Sequence, residues 1–326
     1  MTRRELLITG GTGSLGKAIL KILSELEYNY FTGIRIYSRD EFKQHNLRQK
    51  LKEFETPTAY IIGDIRDHRR LEEALRGVTH VIHTAALKHV PIAEENPLEY
   101  IQTNILGTEN VMRAAINAGV LKAIFISTDK AAEPTTLYGA SKMAAEKLWL
   151  RGSIYGGGKK TKFAAVRYGN VIGSRGSIAD MVDRFWRGKK IPITNPNMTR
   201  FWIQLPIVAQ FILDRLHDMQ DGVLYVPKML SCSLRTFMKA TTNTEDESWE
   251  IIGKRPGEKL HEMLITQDEV FRASEKEKHY EIYQREAELW EKPLYDCLYS
   301  DRRNPLFTND VEKIKELLCI ENLEPL

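Results

Sequence analysis

A doubly wound parallel α/β sheet is the fold the sequence predicts, and three observations carry it. Short apolar runs alternate with amphipathic stretches through the first half of the chain, the connections between them are short, and a glycine-rich turn follows the first apolar run. Strands that are apolar without interruption are buried on both faces, and strand–helix alternation gives a parallel sheet its two helical layers.

Strands are expected at Leu6–Thr9, Ile34–Tyr37, Ala59–Ile62, His80–His83 and Ala123–Ser127, with helices at Lys17–Leu26, Arg69–Leu75, Leu98–Ala118 and Tyr138–Leu150. Phe163–Tyr168 reads as a sixth strand after the flexible Gly156-Gly157-Gly158, and Gly222–Val226 as a seventh. Beyond Asn170 the periodicity turns irregular and Pro, Asn and Arg enter the loops, as in a lobe that covers a ligand. The expected organisation is a Rossmann-like dinucleotide-binding domain over 1–172, rejoined at about 200–226. A smaller, discontinuous substrate-binding lobe takes 173–199 and 227–326. Segment 266–300 is highly charged and yields no clear element, and a last helix to about Leu318 is capped by Thr308 or Asn309.

The totals narrow the function. The 326 residues carry a formal charge of only +3, which argues against a nucleic-acid or polybasic membrane footprint. Cys232, Cys297 and Cys319 lie too far apart for a metal site and read as reduced thiols, so no metal is expected. No apolar run approaches the roughly 20 residues of a membrane span. Thr2-Arg3-Arg4 leads into only Leu6-Leu7-Ile8, too short for a signal sequence, so a soluble cytoplasmic protein is expected.

The turn Gly10-Gly11-Thr12-Gly13-Ser14-Leu15-Gly16 between a strand and a helix is the arrangement that sets a pyrophosphate on a helix N-terminus. At the tip of the second strand Ser38, Arg39 and, one turn on, Lys43 suit a ribose 2′-phosphate and hence NADP. Asp40 is the competing reading, as a partner for a 2′-hydroxyl. Asp64 and Ile65 after the third strand are placed to meet adenine, and the small Ala85 and Ala86 let the chain pass close to the dinucleotide. Lys88 and His89 follow in the loop.

The stretch Thr128-Asp129-Lys130 and Tyr138-Gly-Ala-Ser-Lys142 carries the chemistry. Tyr138 and Lys142 share a helix face at a spacing of four, and an ammonium beside a phenol favours phenolate. Tyr138 is thereby fitted to take a proton from a sugar hydroxyl. Asp129 and Lys130 add an acid and an amine that simple hydride transfer leaves unused. Removing a carbon-bound proton and expelling a hydroxyl needs both, so the pattern points to dehydration of a sugar.

Together these motifs resemble the extended short-chain dehydrogenase/reductase family, and within it the inverting UDP-N-acetylglucosamine 4,6-dehydratases of the pseudaminic acid type. The likeness runs over roughly 5–318, through Ile8-Thr-Gly-Gly-Thr-Gly-Ser-Leu-Gly16, Tyr37-Ser-Arg-Asp40, Ala86-Leu-Lys-His-Val-Pro91 and Ser127-Thr-Asp-Lys-Ala131. It continues in Arg167-Tyr-Gly-Asn-Val-Ile-Gly-Ser-Arg-Gly-Ser177, Pro192-Ile-Thr194, Met198-Thr-Arg-Phe-Trp-Ile203, Val226-Pro-Lys228 and Arg255-Pro-Gly-Glu-Lys-Leu-His-Glu262. Thr-Asp-Lys is the inverting form, where retaining dehydratases look like Thr-Asp-Glu and C4 epimerases lack the acid–amine pair. The match weakens over Ser177–Lys190 and 266–300.

The resemblance implies a mechanism. Tyr138 takes the C4 hydroxyl proton as hydride passes to the nicotinamide, Lys142 keeps Tyr138 acidic and bonds the nicotinamide ribose, and Thr128 bonds the C4 oxygen. Lys130, expected to shed its proton easily, takes the C5 proton while Asp129 protonates the leaving C6 hydroxyl. Hydride returns to C6, C5 is reprotonated from the opposite face, and a UDP-2-acetamido-2,6-dideoxy-hexos-4-ulose results. Asn170 and Arg175 would meet the diphosphate, Arg200, Arg255 and Glu258 the uridine ribose and phosphate. Tyr168 and Lys88 join the cofactor contacts, and Lys88 and Thr194 the substrate contacts. Phe201, Trp202 and Trp186 read as core residues or as stacking platforms for uracil. The likeness also implies a homo-oligomer. A C4 epimerase, a 5,6-dehydratase of the same fold and a non-catalytic NADP-binding regulator remain as alternatives.

Overall fold

The computed structural model describes residues 4–25, 30–51, 55–173, 190–242, 249–284 and 296–318. β1 (Glu5–Thr9), α1 (Ser14–Glu25), β2 (Gly33–Ser38), α2 (Glu41–Lys50), β3 (Thr58–Ile62), α3 (His68–Leu75) and β4 (His80–His83) open the chain. Then come α4 (Val90–Glu95), α5 (Pro97–Tyr100), α6 (Gly107–Ala118), β5 (Lys122–Ile126), α7 (Leu137–Leu150), β6 (Lys162–Val166) and β7 (Asn170–Ile172). The second half supplies β8 (Ile191–Ile193), β9 (Thr199–Gln204), α8 (Leu205–Asp218), β10 (Val223–Pro227), β11 (Leu230–Ser233) and α9 (Leu234–Thr242). β12 (Trp249–Ile251), β13 (Met263–Ile265), α10 (Gln267–Val270), β14 (Ala273–Glu275), β15 (His279–Tyr283), β16 (Leu298–Tyr299) and α11 (Val311–Leu318) complete it.

Nine strands form one sheet in the order β3-β2-β1-β4-β5-β6-β10-β15-β14. The first seven run parallel, whereas β15 is antiparallel to β10 and β14 to β15. Strand order reverses beside β1, and that is where an open α/β sheet offers a crevice at its carboxyl edge. Residues of β4, β5, β6 and β10 are almost wholly buried, as the unbroken apolar runs predict, while the edge strand β3 is half-exposed. The parallel doubly wound fold is therefore present, with the sixth and seventh strands within a residue or two of their expected positions.

The single helix expected over Leu98–Ala118 is three pieces. A π-helical turn at Ile101–Leu106 separates α5 from α6. Inside it the buried Asn104 accepts from Leu87 N at 2.8 Å, donates to Leu87 O at 2.9 Å and reaches Ser141 Oγ at 3.0 Å. A side chain that serves the neighbouring loop and α7 in this way opens the helix locally.

Segment 266–300, without an element in the sequence reading, supplies β14 and β15 to the large sheet. The last helix forms where expected, but Asp310 caps it, accepting from Glu312 N at 3.0 Å and Lys313 N at 3.2 Å. Asn309 is taken instead by Thr236 Oγ1 at 2.9 Å, and Thr308 accepts from Asp310 N. A second apolar core gathers Ile172, Ile191, Ile193, Trp202, Phe237, Met238, Trp249 and Ile314. Trp202 stacks on Phe237 at 3.7 Å and Phe201 is fully buried, so both are core residues; Trp186 lies outside the described residues. Among the described residues no helix is long and apolar enough to cross a membrane.

Candidate active site

Gly10 ends β1 with φ +68°, and a Cβ there would lie 2.8 Å from Thr84 Oγ1 and 2.9 Å from the backbone of Ala85. Only glycine fits, because the left-handed backbone and the neighbouring strand tip both exclude a side chain. Gly13 N bonds Gly10 O at 2.9 Å, and Gly16 backs on Gly11 so tightly that a Cβ would overlap its carbonyl. Thr12 is buried in the turn, and Ser14 and Leu15 begin α1. The N-terminus of α1 thus lies at the carboxyl edge of the sheet, where the half-buried Ala85 abuts Gly10 and is followed by the half-buried Ala86. A cradle that a Cβ would fill, at a helix N-terminus, fits the pyrophosphate of a dinucleotide.

Around the tip of β2 the cations are present, each with a carboxylate. Lys43 Nζ lies 2.6 Å from Asp40 Oδ2, and Arg39 Nη1 lies 3.6 Å from Asp64 Oδ2. Ser38 Oγ accepts from Gln44 Nε2 at 3.0 Å. Asp40 caps α2 by accepting from Lys43 N at 2.9 Å, which occupies one oxygen of the competing 2′-hydroxyl partner. The Asp64 side chain is engaged by Arg66 at 2.8 and 3.0 Å. Burial would raise its pKa, but the Arg66 bonds and the Arg39 charge hold it below the usual carboxylate range. Ile65 is buried next to Gly107.

The catalytic candidates converge where β5 ends. A 3₁₀ turn, Asp129–Ala131, follows Thr128, whose hydroxyl accepts from Lys130 N at 3.4 Å. Thr136 caps α7 through Gly139 N, and Gly139 lets α7 seat directly on the Lys130 carbonyl, where a Cβ would overlap. Asp129 is fully buried; its Oδ1 accepts from Thr128 Oγ1 at 2.9 Å and from Lys130 Nζ at 3.1 Å, while Oδ2 has no hydrogen-bond partner. Burial raises the Tyr138 phenol to about 12, against the charge of Lys130 and a hydrogen bond with Thr128.

Two features differ from the sequence reading. The ammonium that pulls Tyr138 downward is that of Lys130, because Lys142 Nζ donates to Ile126 O at 2.6 Å and sits 3.9 Å over the Phe125 ring. Burial brings Lys142 itself down to about 7, with Glu146 opposing. Nor does Lys130 shed its proton easily. Burial alone would lower it, but the carboxylates of Asp129 and Glu262 outweigh that and hold the ammonium charged.

The substrate candidates fall into one group and some outliers. Thr194 Oγ1 lies 3.4 Å from Glu258 Oε1, and Glu258 Oε2 accepts from Arg255 N at 3.0 Å. Arg200 is buried, donating to Thr199 O at 2.7 Å and to Leu260 O at 3.3 Å. Asn170 is half-buried at the start of β7, Tyr168 is half-buried and its carbonyl accepts from Asp129 N at 2.9 Å, and Lys88 is exposed. Arg175 lies outside the described residues.

Three groups escaped the sequence reading. Glu262, 4% exposed, lies with Oε1 at 3.7 Å from Lys130 Nζ and Oε2 at 3.9 Å from Lys259 Nζ. Arg167 donates to Glu146 at 2.5 and 3.1 Å, to Glu269 at 2.7 and 2.8 Å, and to Leu264 O at 2.9 Å, so α7 and the segment after β13 share one buried node. Asn104 holds the loop before Lys88. For Glu262 the only signal was its place at the end of the Arg255–Glu262 motif.

A family model described as "Polysaccharide biosynthesis protein" matches residues 6–284. The chain is 42% identical to "UDP-N-acetylglucosamine 4,6-dehydratase (inverting)" of Campylobacter jejuni subsp. jejuni, with 98% of each chain covered. It is 39% identical to a "UDP-glucose 4-epimerase" of Rickettsia rickettsii, covering 86% of this chain and 82% of that one. Among solved structures, Pen from Bacillus thuringiensis superposes with a TM-score of 0.89 at 33% identity, over 98% of both chains.

Proposed function

Because this chain belongs to the polysaccharide biosynthesis protein family, we propose that it is a nucleotide-sugar 4,6-dehydratase of the C5-inverting kind, acting on UDP-N-acetylglucosamine. The observation that carries the reading is the pair formed by the buried Asp129 and the half-buried Lys130, 3.1 Å apart and next to Tyr138. C4 epimerisation needs a phenol and a hydride carrier but leaves such a pair idle, which favours dehydration over the epimerase name borne by the Rickettsia relative.

A bound nicotinamide cofactor supplies acceptance of the C4 hydride and its return to C6. The Tyr138 phenol, raised to about 12 by burial, must first give up its own proton, which the Lys130 ammonium and the positive charge that a bound oxidised nicotinamide would bring both favour. The phenolate then takes the proton of the 4-hydroxyl, and Thr128 holds the oxygen it leaves. The 4-ketone then acidifies the C5 hydrogen. Lys130 rests as an ammonium against Asp129, so moving one proton from Nζ to Oδ1 yields both an amine and a carboxylic acid. The amine takes the C5 proton, the acid protonates the C6 hydroxyl, and water departs as the C5–C6 double bond forms. The pair is then ammonium and carboxylate again; once C6 has received hydride, C5 is an enolate carbon and takes a proton, ultimately from solvent, on the face opposite the one it lost. Groups coupled this closely titrate as a unit.

We assign NADP rather than NAD, since Arg39 and Lys43 present two cations where a 2′-phosphate would lie. The exposed Ile92, Leu98, Ile101 and Leu106 along α4, α5 and the π-helical turn support a homo-oligomer. A nucleotide-sugar substrate favours a cytoplasmic location.

The test is NMR of the protein with UDP-N-acetylglucosamine and catalytic NADP+ in deuterated water, alongside Lys130→Ala. The reading predicts a 6-deoxy-4-keto sugar with deuterium at an inverted C5, and none from the variant. Inversion at C4 with the C6 hydroxyl retained would make the protein an epimerase.

A further inference from the structure

Lys130 is surrounded by more charge than its partner Asp129. Asp129 Oδ1 lies 3.1 Å from Nζ and Glu262 Oε1 lies 3.7 Å away on the other side. Arg200, Tyr138 and Lys259 complete the ionisable groups that face it. Glu262 is held from behind: its backbone N donates to Ser300 Oγ at 2.8 Å and its carbonyl accepts from Ser300 N at 2.8 Å, while its side chain, just before β13, reaches the turn that carries Lys130. Oε2 is buried without a hydrogen bond, its nearest cation being Lys259 at 3.9 Å, and Lys259 is itself tied to Ala132 O at 2.6 Å. A carboxylate enclosed this far stays only where a cation needs it.

That need changes during the reaction. While Asp129 is a carboxylate, Lys130 has two counter-ions. Once Asp129 holds a proton for the C6 oxygen, Glu262 is the remaining carboxylate within 4 Å of Nζ among the described residues. With Asp129 still protonated, the amine takes the C5 proton, the C5–H bond breaks and its electron pair moves into the 4-ketone as an enolate. The C6–O bond breaks only after that: when the C6 oxygen receives the Asp129 proton, the enolate electron pair forms the C5–C6 bond. Positive charge appears on Nζ at the first of these steps, with Arg200 and Lys259 nearby. We propose that Glu262 is the positioning residue for this step: it aims the Lys130 amine at C5 and supplies the negative charge that steadies the ammonium while Asp129 is neutral. This rests on the dehydratase reading above.

The experiment compares wild type, Glu262→Gln and Glu262→Asp, each with UDP-N-acetylglucosamine and stoichiometric NADP+ in deuterated water. Absorbance of the reduced nicotinamide reports C4 oxidation, and NMR reports deuterium at C5. In Glu262→Gln, C5 exchange falls by roughly 100-fold or more, the scale of a disabled general base. C4 oxidation falls at least ten times less, so reduced nicotinamide, transient in wild type, persists. Glu262→Asp restores part of the exchange because it restores the charge on a shorter arm. If Glu262→Gln exchanges C5 as fast as wild type, or loses oxidation and exchange in equal measure, Glu262 has no such role. Should Glu262→Gln show no cooperative melting transition, Glu262→Asp decides by the same ratio. Wild-type protein that oxidises C4 without exchanging C5 would instead overturn the dehydratase reading and this inference with it.

Discussion

Glu269→Gln isolates what one carboxylate contributes to the Arg167 node. The Arg167 guanidinium, 2% exposed, is shared by two carboxylates, Glu146 and Glu269. Burial alone would raise the Glu269 carboxyl, but the charge and hydrogen bonds of Arg167 bring it down from 4.5 to about 2. A depressed carboxylate contributes stability that is fully present above its unfolded pKa and is lost as pH falls through the folded one. The contribution is therefore complete above 4.5 and fades towards 2, and the interval corresponds to about 3 kcal/mol at neutral pH. Gln keeps the shape and cannot ionise, so it forfeits this term while retaining weaker hydrogen bonds. Urea denaturation followed by tryptophan fluorescence should show the variant less stable by about 2–3 kcal/mol at pH 7. The gap between the two proteins should shrink below pH 4.5 and close only as the pH is lowered towards about 2. A stability difference that is the same at both pH values, or none at pH 7, would refute the linkage. Arg167→Met is the harsher change: it leaves two carboxylates facing each other in the core and should cost more than the 3–5 kcal/mol typical of breaking a buried pair.

Gly139→Ala should slow turnover by about 100-fold with substrate binding little changed, since a Cβ would push the turn carrying Asp129 and Lys130 off α7, and displacements near 1 Å have that effect; steady-state kinetics check it. Lys142 is neutral in the folded protein above about 7 but keeps its proton when unfolded up to 10.5, so its contribution to stability rises with pH between those values. Comparing urea midpoints of wild type and Lys142→Met across that range should show the variant without this rise. Arg39→Ala should weaken NADP+ binding by about 10-fold and NAD+ binding hardly at all, by titration calorimetry, because only the 2′-phosphate loses a charge-assisted contact.

The parts of the fold that periodicity encodes were legible. Apolar strands at the sheet centre, the glycine turn and Tyr138 on a helix face are local properties, and they lie where the sequence puts them. The helix over Leu98–Ala118 was misread because its break depends on Asn104 finding Leu87 and Ser141, contacts between residues far apart in the chain. β14 and β15 were invisible for a related reason. Their short sequences, each carrying a glutamate, such as His279-Tyr-Glu-Ile-Tyr283, become strands only by pairing with β10 and each other. In the site, residue types gave the Asp129–Lys130 pair, but its charge state depends on Glu262, 132 positions after Lys130. Burial of that carboxylate is a tertiary fact with no local pattern.

The pairing of β15 with β10 bears on how the chain survives its own synthesis. β10, Val223-Leu-Tyr-Val-Pro227, is buried along its whole length and would be the open border of the sheet without β15. A flat apolar border with free backbone groups recruits strands from other molecules. In the finished protein β14 takes that position, short and bearing Ser274 and Glu275, which Lys228 meets at 2.6 Å. During translation, however, β10 emerges about fifty residues before β15 can cover it. A nascent chain arrested in that interval is exposed to intermolecular strand addition, so the final quarter of the sequence acts as a solubility guard for the sheet as well as the source of Glu262.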